Sequence, residues 1–365
     1  MREGWEFKCF EDCIIKAPKL KQVQTSQYNS GTMYPIVSQE EKLISGFCDD
    51  ETMVYHLDSP IVVFGDHTRV LKYIDFDFVV GADGVKILIP KENVDAKFFY
   101  YYLLWCKIPS LGYSRHYKLL KEIKVAVPQK STQLDIVAEL DQINDLIRLK
   151  KEQLKEYDNL AQSIFYDMFG DPVENEKGWE VKKLGDVCEI GTGSTPNRKN
   201  KDYYVGNIPW VKSTEVCNGF IDETQEMISD EALAQTNCTI YPKGSVLIAM
   251  YGQGKTRGQV AILKINACTN QAVAAMIPSE SISTNFLFYH LRLLYENIRG
   301  MARGGNQANL NLTLVKSIKI ILPPLPLQQE FSTRIEQIEK LKTEVQKTIT
   351  DLETLLASRM QYWFE

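Results

Sequence analysis

The chain has 365 residues, 44% of them hydrophobic and 24% charged, with a formal net charge of −5. This composition supports two ordinary hydrophobic cores. Because no apolar run approaches the ~20 residues that span a bilayer, and because the first residues are too polar for a secretory signal, we expect a cytoplasmic protein without a membrane partner.

The first part of the chain predicts a domain of short strands and one buried helix. Residues 53–67 (MVYHLDSPIVVFGDH) and 70–90 (VLKYIDFDFVVGADGVKILIP) are rich in Val, Ile, Tyr and Phe and are bounded by Gly and Asp. Residues 95–106 (DAKFFYYYLLWC) have the length and apolar density of a buried helix. An Ile-Lys strand from Ile123 and a proline stop at Pro128 follow.

A heptad pattern then predicts a long helix, and the same pattern returns at the end of the chain. The first seam comprises Ile136, Leu140, Ile143, Ile147, Lys150, Leu154, Tyr157, Ala161, Ile164 and Met168. The second comprises Phe331, Ile335, Ile338, Lys342, Val345, Ile349, Leu352, Leu356, Arg359 and Trp363. Pro128 and Pro326 fit helix starts, and "FGDP" from Phe169 fits the end of the first helix.

Between the two helices lies a second domain of the same plan. Its strands and helix are predicted from "KGSVLIAMYG", "QVAILKI" and "STNFLFYHLRLLYENIRG". "GWEFKCFEDC" at Gly4 recurs as "GWEVKKLGDVC" at Gly178. "IKVAVPQKSTQLDIVAELDQI" at Ile123 recurs as "IKIILPPLPLQQEFSTRIEQI" at Ile318, and the second copy is longer between its two motifs. The chain is therefore predicted to be an internal duplication.

These patterns predict an α/β (α+β) fold with a pseudo-twofold internal repeat. Two homologous domains are separated by a pair of long antiparallel coiled-coil helices. The predicted boundaries are 1–128 for the first domain, 129–170 for the first helix, 171–322 for the second domain and 323–365 for the second helix. The alternative is two separate amphipathic helices, each lying on its own domain. A narrow seam at equivalent positions favours pairing into a rod of about 50 Å.

The stretch "AMYGQGKTRGQVAILKI" contains Gly-Lys-Thr and so raises the hypothesis of a nucleotide-binding P-loop. That motif requires a glycine where this sequence has Ala249, and a helix where "QVAILKI" predicts a strand. The first domain has a polar turn, Gly65 to Arg69, in the matching place. Both stretches are therefore predicted to be hairpin turns that end in Thr-Arg.

Several loops combine glycine with amide and basic side chains, a composition suited to contacts with DNA phosphates and base edges. The alternative for each is an ordinary solvated loop, and for Asp83 a turn-forming role. The candidate DNA-binding residues are Asp66, His67, Thr68, Arg69, Lys72, Asp83, Arg115, His116, Lys118, Thr195, Asn197, Arg198, Lys199, Gln253, Lys255, Thr256, Arg257, Arg303, Asn306, Gln307 and Asn309. Much of the acidity lies in residues 129–177, away from these loops, so partners are expected to supply positive charge.

The Gly-Trp-Glu starts, the "LPPLPLQQEF" helix entry with its earlier echo, and the "ARGGNQANLNL" loop resemble those of type I restriction-modification DNA specificity subunits. The resemblance covers essentially the whole chain. It implies two target recognition domains, each recognising half of a bipartite site in double-stranded DNA. It also implies spacer helices that dock two methyltransferase subunits and, through them, the restriction and translocase subunits.

The resemblance further implies a chain without catalytic activity or cofactors of its own. S-adenosylmethionine, ATP and Mg²⁺ would belong to the partner subunits. The sequence agrees, because it lacks an Asp/Asn-Pro-Pro-aromatic motif, its four histidines lack metal-ligand spacing, and its eight cysteines form no Cys-x-x-Cys pair. The remaining alternatives are a P-loop nucleotide hydrolase and a non-enzymatic coiled-coil scaffold.

Overall fold

The computed structural model describes residues 4–365 apart from Lys19, Thr32, Tyr113, Gln253 and residues 302–308. The chain forms two compact units. The first comprises Met1–Glu152 and Gln346–Glu365, and the second comprises Gln153–Val345. The division falls within both long helices, so each helix contributes to both units. The domain boundaries predicted from sequence follow the ends of the helices instead.

The strands of the first unit are β1 (Glu6–Cys9), β2 (Ile14–Ile15), β3 (Tyr34–Val37), β4 (Gly46–Cys48), β5 (Val54–Tyr55), β6 (Ile61–Gly65), β7 (Leu71–Ile74), β8 (Phe78–Val80), β9 (Val85–Pro90) and β10 (Lys124–Val127). Its helices are α1 (Ala96–Trp105), α2 (Tyr117–Lys121), the first part of α3 (Lys130–Phe169) and the last part of α9 (Leu325–Phe364). The strands form a sheet of order β2-β9-β6-β7, a sheet of order β4-β3-β8-β5, and the two-stranded ribbon β1-β10.

The strands of the second unit are β11 (Val181–Lys183), β12 (Glu189–Thr192), β13 (Ile208–Val211), β14 (Gly219–Ile221), β15 (Glu226–Ile228), β16 (Val246–Ala249), β17 (Val260–Leu263), β18 (Cys268–Thr269), β19 (Val273–Ile277) and β20 (Lys319–Ile321). Its helices are α4 (Leu184–Val187), α5 (Asp230–Gln235), α6 (Thr284–Leu293), α7 (Tyr295–Met301), α8 (Leu312–Lys316), the last part of α3 and the first part of α9 (Leu325–Phe364). The sheet orders are β12-β19-β16-β17-β14 and β15-β13-β18, beside the ribbon β11-β20.

Strand register confirms the internal duplication. Phe7 is opposite Ala126 in the ribbon β1-β10, and Val181 is opposite Ile321 in the ribbon β11-β20. Phe7 and Val181 occupy the same position after the Gly-Trp-Glu of their copies, and Ala126 and Ile321 occupy the same position after Ile-Lys. The two ribbons therefore pair equivalent repeat positions. The parallel pairs β3-β8 and β13-β18 also occupy corresponding places in the two units.

Within each unit the two long helices run antiparallel, as the sequence predicts. In the first unit Glu139 of α3 bonds Arg359 of α9, and further along α3 the ammonium of Lys151 lies 2.8 Å from Glu353, earlier in α9. In the second unit Asp158 of α3 accepts a hydrogen bond from Lys342 of α9 at 3.0 Å. The lysine in the second seam is therefore balanced by an acid on the facing helix, which offsets the cost of burying its charge.

Burial confirms both predicted seams. Every seam position is buried or half-buried, and Ile136, Leu140, Phe331 and Ile335 are at most 1% exposed. Gly170, at φ +77°, ends α3 by donating its N–H to the carbonyl of Tyr166 (2.8 Å), a C-terminal cap that glycine forms at low cost.

His290, in α6, lies fully buried in the core of the second unit. Its Nε2 accepts a hydrogen bond from the N–H of Ile321 (3.1 Å), so the ring is neutral and its proton is on Nδ1. Burial lowers the pKa of His290 from 6.5 to about 3, because the charged ring would lose its hydration. As the pH falls, the His290 ring of the unfolded chain therefore binds a proton near pH 6.5, whereas the ring of the folded unit stays neutral down to about pH 3.

We expect the second unit to lose stability as the pH falls below about 6.5. Because the folded pKa lies below the unfolded one, the loss from this group is about 1.4 kcal/mol per pH unit down to about pH 3. Denaturant unfolding of the wild type and of His290→Gln, from pH 7 to pH 5, measures it. The variant keeps a hydrogen-bond acceptor but has no titrating ring, so its free energy of unfolding should fall less steeply with falling pH. Equal slopes of the unfolding free energy against pH in the two proteins would contradict the prediction.

In the part of the chain that the structure describes, every helix is too short or too polar to cross a lipid bilayer. Among the same residues, no group of three or more His, Cys, Asp or Glu side chains is arranged to hold a metal ion.

Candidate nucleic-acid interface

In the first unit, three loops meet at the backbone of Asp66, the first residue after β6. Its N–H donates a hydrogen bond to the carbonyl of Gly84 (2.7 Å), in the turn between β8 and β9. Its carbonyl accepts a hydrogen bond from the N–H of His116 (2.8 Å), directly before α2. We call this surface the first loop edge; it comprises residues 65–70, 81–84 and 114–118.

The side chains of Asp66 and His116 hold this edge together from inside. His116 is fully buried, and its Nε2 accepts a hydrogen bond from the N–H of Leu111 (2.9 Å). Its Nδ1 therefore carries the proton and donates it to the carbonyl of Asp66 (2.9 Å). The Asp66 carboxylate accepts a hydrogen bond from the N–H of Tyr117 (2.8 Å). We accordingly replace the predicted DNA contacts of Asp66 and His116 with a positioning role.

Lys72, on β7, requires the same correction. Its side chain is buried, and its ammonium donates to the carbonyl of Ser38 (2.8 Å) and to that of Lys42. Burial lowers the pKa of Lys72 because the charged form loses hydration. The ammonium is committed to protein carbonyls, so we assign Lys72 to anchoring the loop after β3 and not to DNA contact.

The other candidates of the first unit lie along the first loop edge. His67 is half-buried, and the exposed residues are Thr68, Arg69, Asp83, Arg115 and Lys118. Arg69 adopts a left-handed backbone conformation (φ +64°), and its guanidinium donates to the carbonyl of Ile108 (3.1 Å). Lys86 adds further positive charge, with its ammonium 3.8 Å from the Asp66 carboxylate. The structure thus brings exposed acceptors and cations onto one surface.

Gln39, which the sequence analysis did not select, organises the β6–β7 turn. Its side-chain oxygen accepts from the N–H of His67 (3.2 Å), and its carbonyl accepts from the hydroxyl of Thr68. A Cβ at Gly84 would lie 2.4 Å from that side-chain oxygen, and φ there is +95°, so only glycine fits. No local sequence pattern signals this role, because the contacts cross 28 and 29 residues.

The second unit builds the same junction at Met250, the first residue after β16. Its N–H donates to the carbonyl of Ala272 (2.8 Å), directly before β19, and its carbonyl accepts from the N–H of Leu310 (3.1 Å), shortly before α8. The three segments correspond to those joined by Asp66. We call this surface the second loop edge; it comprises residues 250–252, 254–259, 270–272 and 309–311.

The hairpin of the second loop edge is braced from α7. Arg299 donates to the carbonyls of Gly254 (2.9 Å) and Arg257 (3.2 Å), and the hydroxyl of Tyr295 donates to the carbonyl of Lys255 (2.6 Å). The backbone is thereby fixed, while the side chain of Lys255 is exposed and those of Thr256 and Arg257 are half-buried.

This geometry excludes the P-loop interpretation. Strand β17 follows Lys255-Thr256 and pairs antiparallel with β16, so the motif forms a hairpin turn without the helix that would hold phosphate. The sequence matches the Thr-Arg that ends one hairpin turn with the Thr-Arg that ends the other, but the backbone hydrogen bonds differ from this match by one residue. Gly258 donates its N–H to Ala249 as Arg69 does to Gly65, so Arg69 corresponds to Gly258 and not to Arg257.

The loop after β12 contributes a further set of candidates. Arg198 pairs with Glu226, and its guanidinium lies 4.3 Å from the ring centre of Tyr204 and 4.9 Å from that of Trp210. Arg198 and Lys212 together lower the pKa of the Glu226 carboxyl. Arg198 is therefore held in place by the protein although half of its side chain is exposed, and Asn197 and Lys199 are exposed beside it.

Gln271 links that loop to the second loop edge. This exposed residue accepts a hydrogen bond from the hydroxyl of Thr195, and its neighbour Ala272 bonds Met250. Gln271 was not among the residues predicted from sequence, although "TNQ" between two short apolar runs is a turn signal. Four predicted contacts, Gln253, Arg303, Asn306 and Gln307, lie outside the described residues, and Asn309, at their flank, is exposed.

The duplicated edges and the paired helices define a class of protein: an internally repeated α/β protein that presents two equivalent loop surfaces. The chain belongs to the family of type I restriction modification DNA specificity domains, whose model matches residues 2–157 and 176–354. The two matched segments are the two halves of the duplication.

Curated relatives carry the corresponding names. The chain is 22% identical over 340 residues to the EcoR124I/EcoR124II specificity subunit of Escherichia coli, covering 88% of this chain and 83% of the relative. It is 28% identical over 193 residues to the MjaIX specificity subunit of Methanocaldococcus jannaschii, covering 52% of this chain but only 44% of the relative.

Solved structures share the fold over the whole chain. The type I restriction-modification S subunit from M. genitalium matches with a TM-score of 0.58 and 15% identity, covering 99% of this chain and 96% of that one. A chain from a study of complex assembly and conformational transition in a type I system matches with a TM-score of 0.57 and 17% identity, covering 100% and 98%.

Proposed function

We propose that this chain is the DNA-recognition subunit of a type I restriction-modification complex. Each unit recognises one half of a bipartite site in double-stranded DNA through its loop edge. The observation that carries the proposal is the repeated junction at Asp66 and Met250, where identical backbone bonds fix three loops in each unit. A fixed backbone with variable exposed side chains is what sequence recognition requires, because donors must meet base edges without reorganising.

The charges of the two edges suit a duplex. The first edge exposes Arg69, Arg115 and Lys118 together with the acceptor Asp83, and the second exposes Lys255. Cations position a protein on phosphates, whereas amide and carboxylate groups discriminate between bases. The net charge of −5 gives the isolated chain little general affinity for DNA, so we expect tight binding only in the complex.

We assign the paired helices to spacing and to partner docking. Each helix has 40 residues, a length of about 60 Å. In the first unit Leu146 and Leu355 are exposed, and in the second unit so are Leu341 and Leu160. Leu341 occupies the repeat position of Leu146, and Leu355 occupies that of Leu160, so the repeat exposes equivalent leucines in both units. Two equivalent surfaces fit two copies of one methyltransferase subunit.

We assign catalysis to the partners. Methyl transfer from S-adenosylmethionine belongs to the methyltransferase subunits, and ATP-driven translocation with Mg²⁺ belongs to the restriction subunits. The folding of the Gly-Lys-Thr stretch as a hairpin supports this division, because a hairpin lacks the helix N-terminus that a P-loop uses to hold phosphate.

Substitutions on the loop edges should weaken DNA binding by the complex with methyltransferase subunits. Lys255→Ala should lower the salt dependence of log K by about one, as the loss of one phosphate contact does. Arg115→Ala should weaken binding through the first edge. Lys243→Ala is the matched control, because Lys243 is an exposed lysine at the opposite end of β16 from the second loop edge.

Fluorescence anisotropy with a duplex that carries the methylated site measures the DNA affinity of all three variants. The salt concentration is varied from about 50 to about 200 mM, a range over which phosphate contacts change the affinity strongly. Losses of DNA affinity confined to Lys255→Ala and Arg115→Ala support the proposal. A wild-type complex that bound DNA without sequence preference would instead support a coiled-coil scaffold. Equal losses of DNA affinity in all three variants would show that the loop edges do not form the DNA interface.

A further inference from the structure

A buried glutamine near the start of each long helix ties that helix to its own unit. Gln133, in the first turn of α3, is fully buried. Its side-chain oxygen accepts from the N–H of Asp95 (2.7 Å), the N-cap of α1. Its amide donates to the carbonyls of Asn93 and Pro128, both at 2.9 Å. One side chain thus joins the start of α1 to the start of α3.

The second unit repeats this arrangement atom for atom. Gln328 is fully buried in the first turn of α9, and its side-chain oxygen accepts from the N–H of Ser283 (3.0 Å), the N-cap of α6. Its amide donates to the carbonyls of Ser281 (3.2 Å) and Pro323 (2.8 Å). We call Gln133 and Gln328 the joint glutamines.

A second bond fixes the direction of each helix. In the first unit the hydroxyl of Tyr101, on α1, donates to Asp141 of α3 at 2.6 Å. In the second unit the hydroxyl of Tyr289, on α6, donates to Glu339 of α9 at 3.2 Å. Asp141 and Glu339 lie about two to three turns beyond the joint glutamines. Two points of attachment on one helix define its axis relative to the unit that it leaves.

Helix stability does not require an amide at these positions. A leucine or methionine would fill the same volume, whereas a buried amide is favourable only if its partners are held in place. Each joint glutamine uses three directional bonds to backbone groups of two different elements, so it selects one orientation of the helix where apolar packing would allow several.

We propose that the joint glutamines set the angle at which each spacer helix leaves its recognition unit, and through that angle the spacing between the two DNA half-sites. This inference rests on the proposed function. The joint glutamines are positioning residues, because they act on DNA only through the helices.

The test uses the complex with methyltransferase subunits, expressed in cells whose DNA is then sequenced for methylation. Gln133→Met and Gln328→Met remove the joint bonds and keep the volume. Gln129→Met and Gln329→Met are matched controls, because both glutamines are exposed neighbours of the joints. We expect the joint variants to keep both half-site sequences and to methylate additional sites whose spacer is longer or shorter, while the controls keep the wild-type spacer.

If the joint variants had a lower melting temperature but an unchanged spacer, the joint glutamines would have only a structural role and the inference would be overturned. If the Met variants do not fold, Tyr101→Phe and Tyr289→Phe decide, since they leave the joint glutamines in place and remove the second bond of each joint, together with the hydrogen bond that Asn144 of α3 donates to the Tyr101 hydroxyl (3.0 Å). Broadened spacing in these variants supports the inference, and wild-type spacing refutes it. Failure of the proposed function is distinguishable, because the wild-type complex would then show no bipartite methylated site.

Discussion

Inserting one heptad into each long helix, after Glu152 in α3 and after Val345 in α9, is expected to lengthen the unread DNA between the half-sites. Seven residues add about 10 Å of helix, which corresponds to about three base pairs at 3.4 Å each. DNA also turns with every base pair, so the increase should lie between about one and three base pairs. Both half-site sequences should stay the same.

A heptad is the appropriate insertion because it preserves the seam. The antiparallel pairs Lys151–Glu353 and Asp158–Lys342 flank the insertion points and keep their partners when both helices grow equally. Inserting the heptad into α3 alone is the control, since it misaligns the seam and should lower stability without defining a new spacer. Methylation sequencing of cells carrying each variant gives the spacer directly. A change in the half-site bases would contradict the assignment of spacing to the helices.

The sequence was sufficient for the features that repeat. The heptad seams predicted both helices, because each buried position recurs at a fixed interval. The antiparallel direction was predicted from the internal repeat and from the domain that separates the two helices in sequence. The recurrence of the Gly-Trp-Glu and Ile-Lys motifs predicted a duplication that the registers of β1-β10 and β11-β20 confirm. Polar residues around Gly65 and Gly252 predicted hairpin turns, because two β-branched runs flank each of them.

The orientation of polar loop residues could not be predicted in this way. Asp66, Lys72 and His116 have the composition of a DNA-binding loop, yet their side chains are buried among backbone groups. Lys72 bonds Lys42 across 30 residues of sequence, and Asp66 bonds Tyr117 across 51, so no local pattern distinguishes these side chains from exposed Arg115 or Lys118. For the same reason Gln39 and Gln271 were missed, since their roles arise only when distant loops meet.

The two units are expected to recognise separate half-sites independently. The exchange of residues 178–322 for the corresponding segment of another family member tests this, when DNA from cells that also carry the methyltransferase partners is then sequenced for methylation. This exchange leaves α3, α9 and the whole first loop edge in place. The proposal predicts that one half-site changes completely while the other half-site and the spacer are retained. A chimera that altered both half-sites, or neither, would contradict independent recognition by two units.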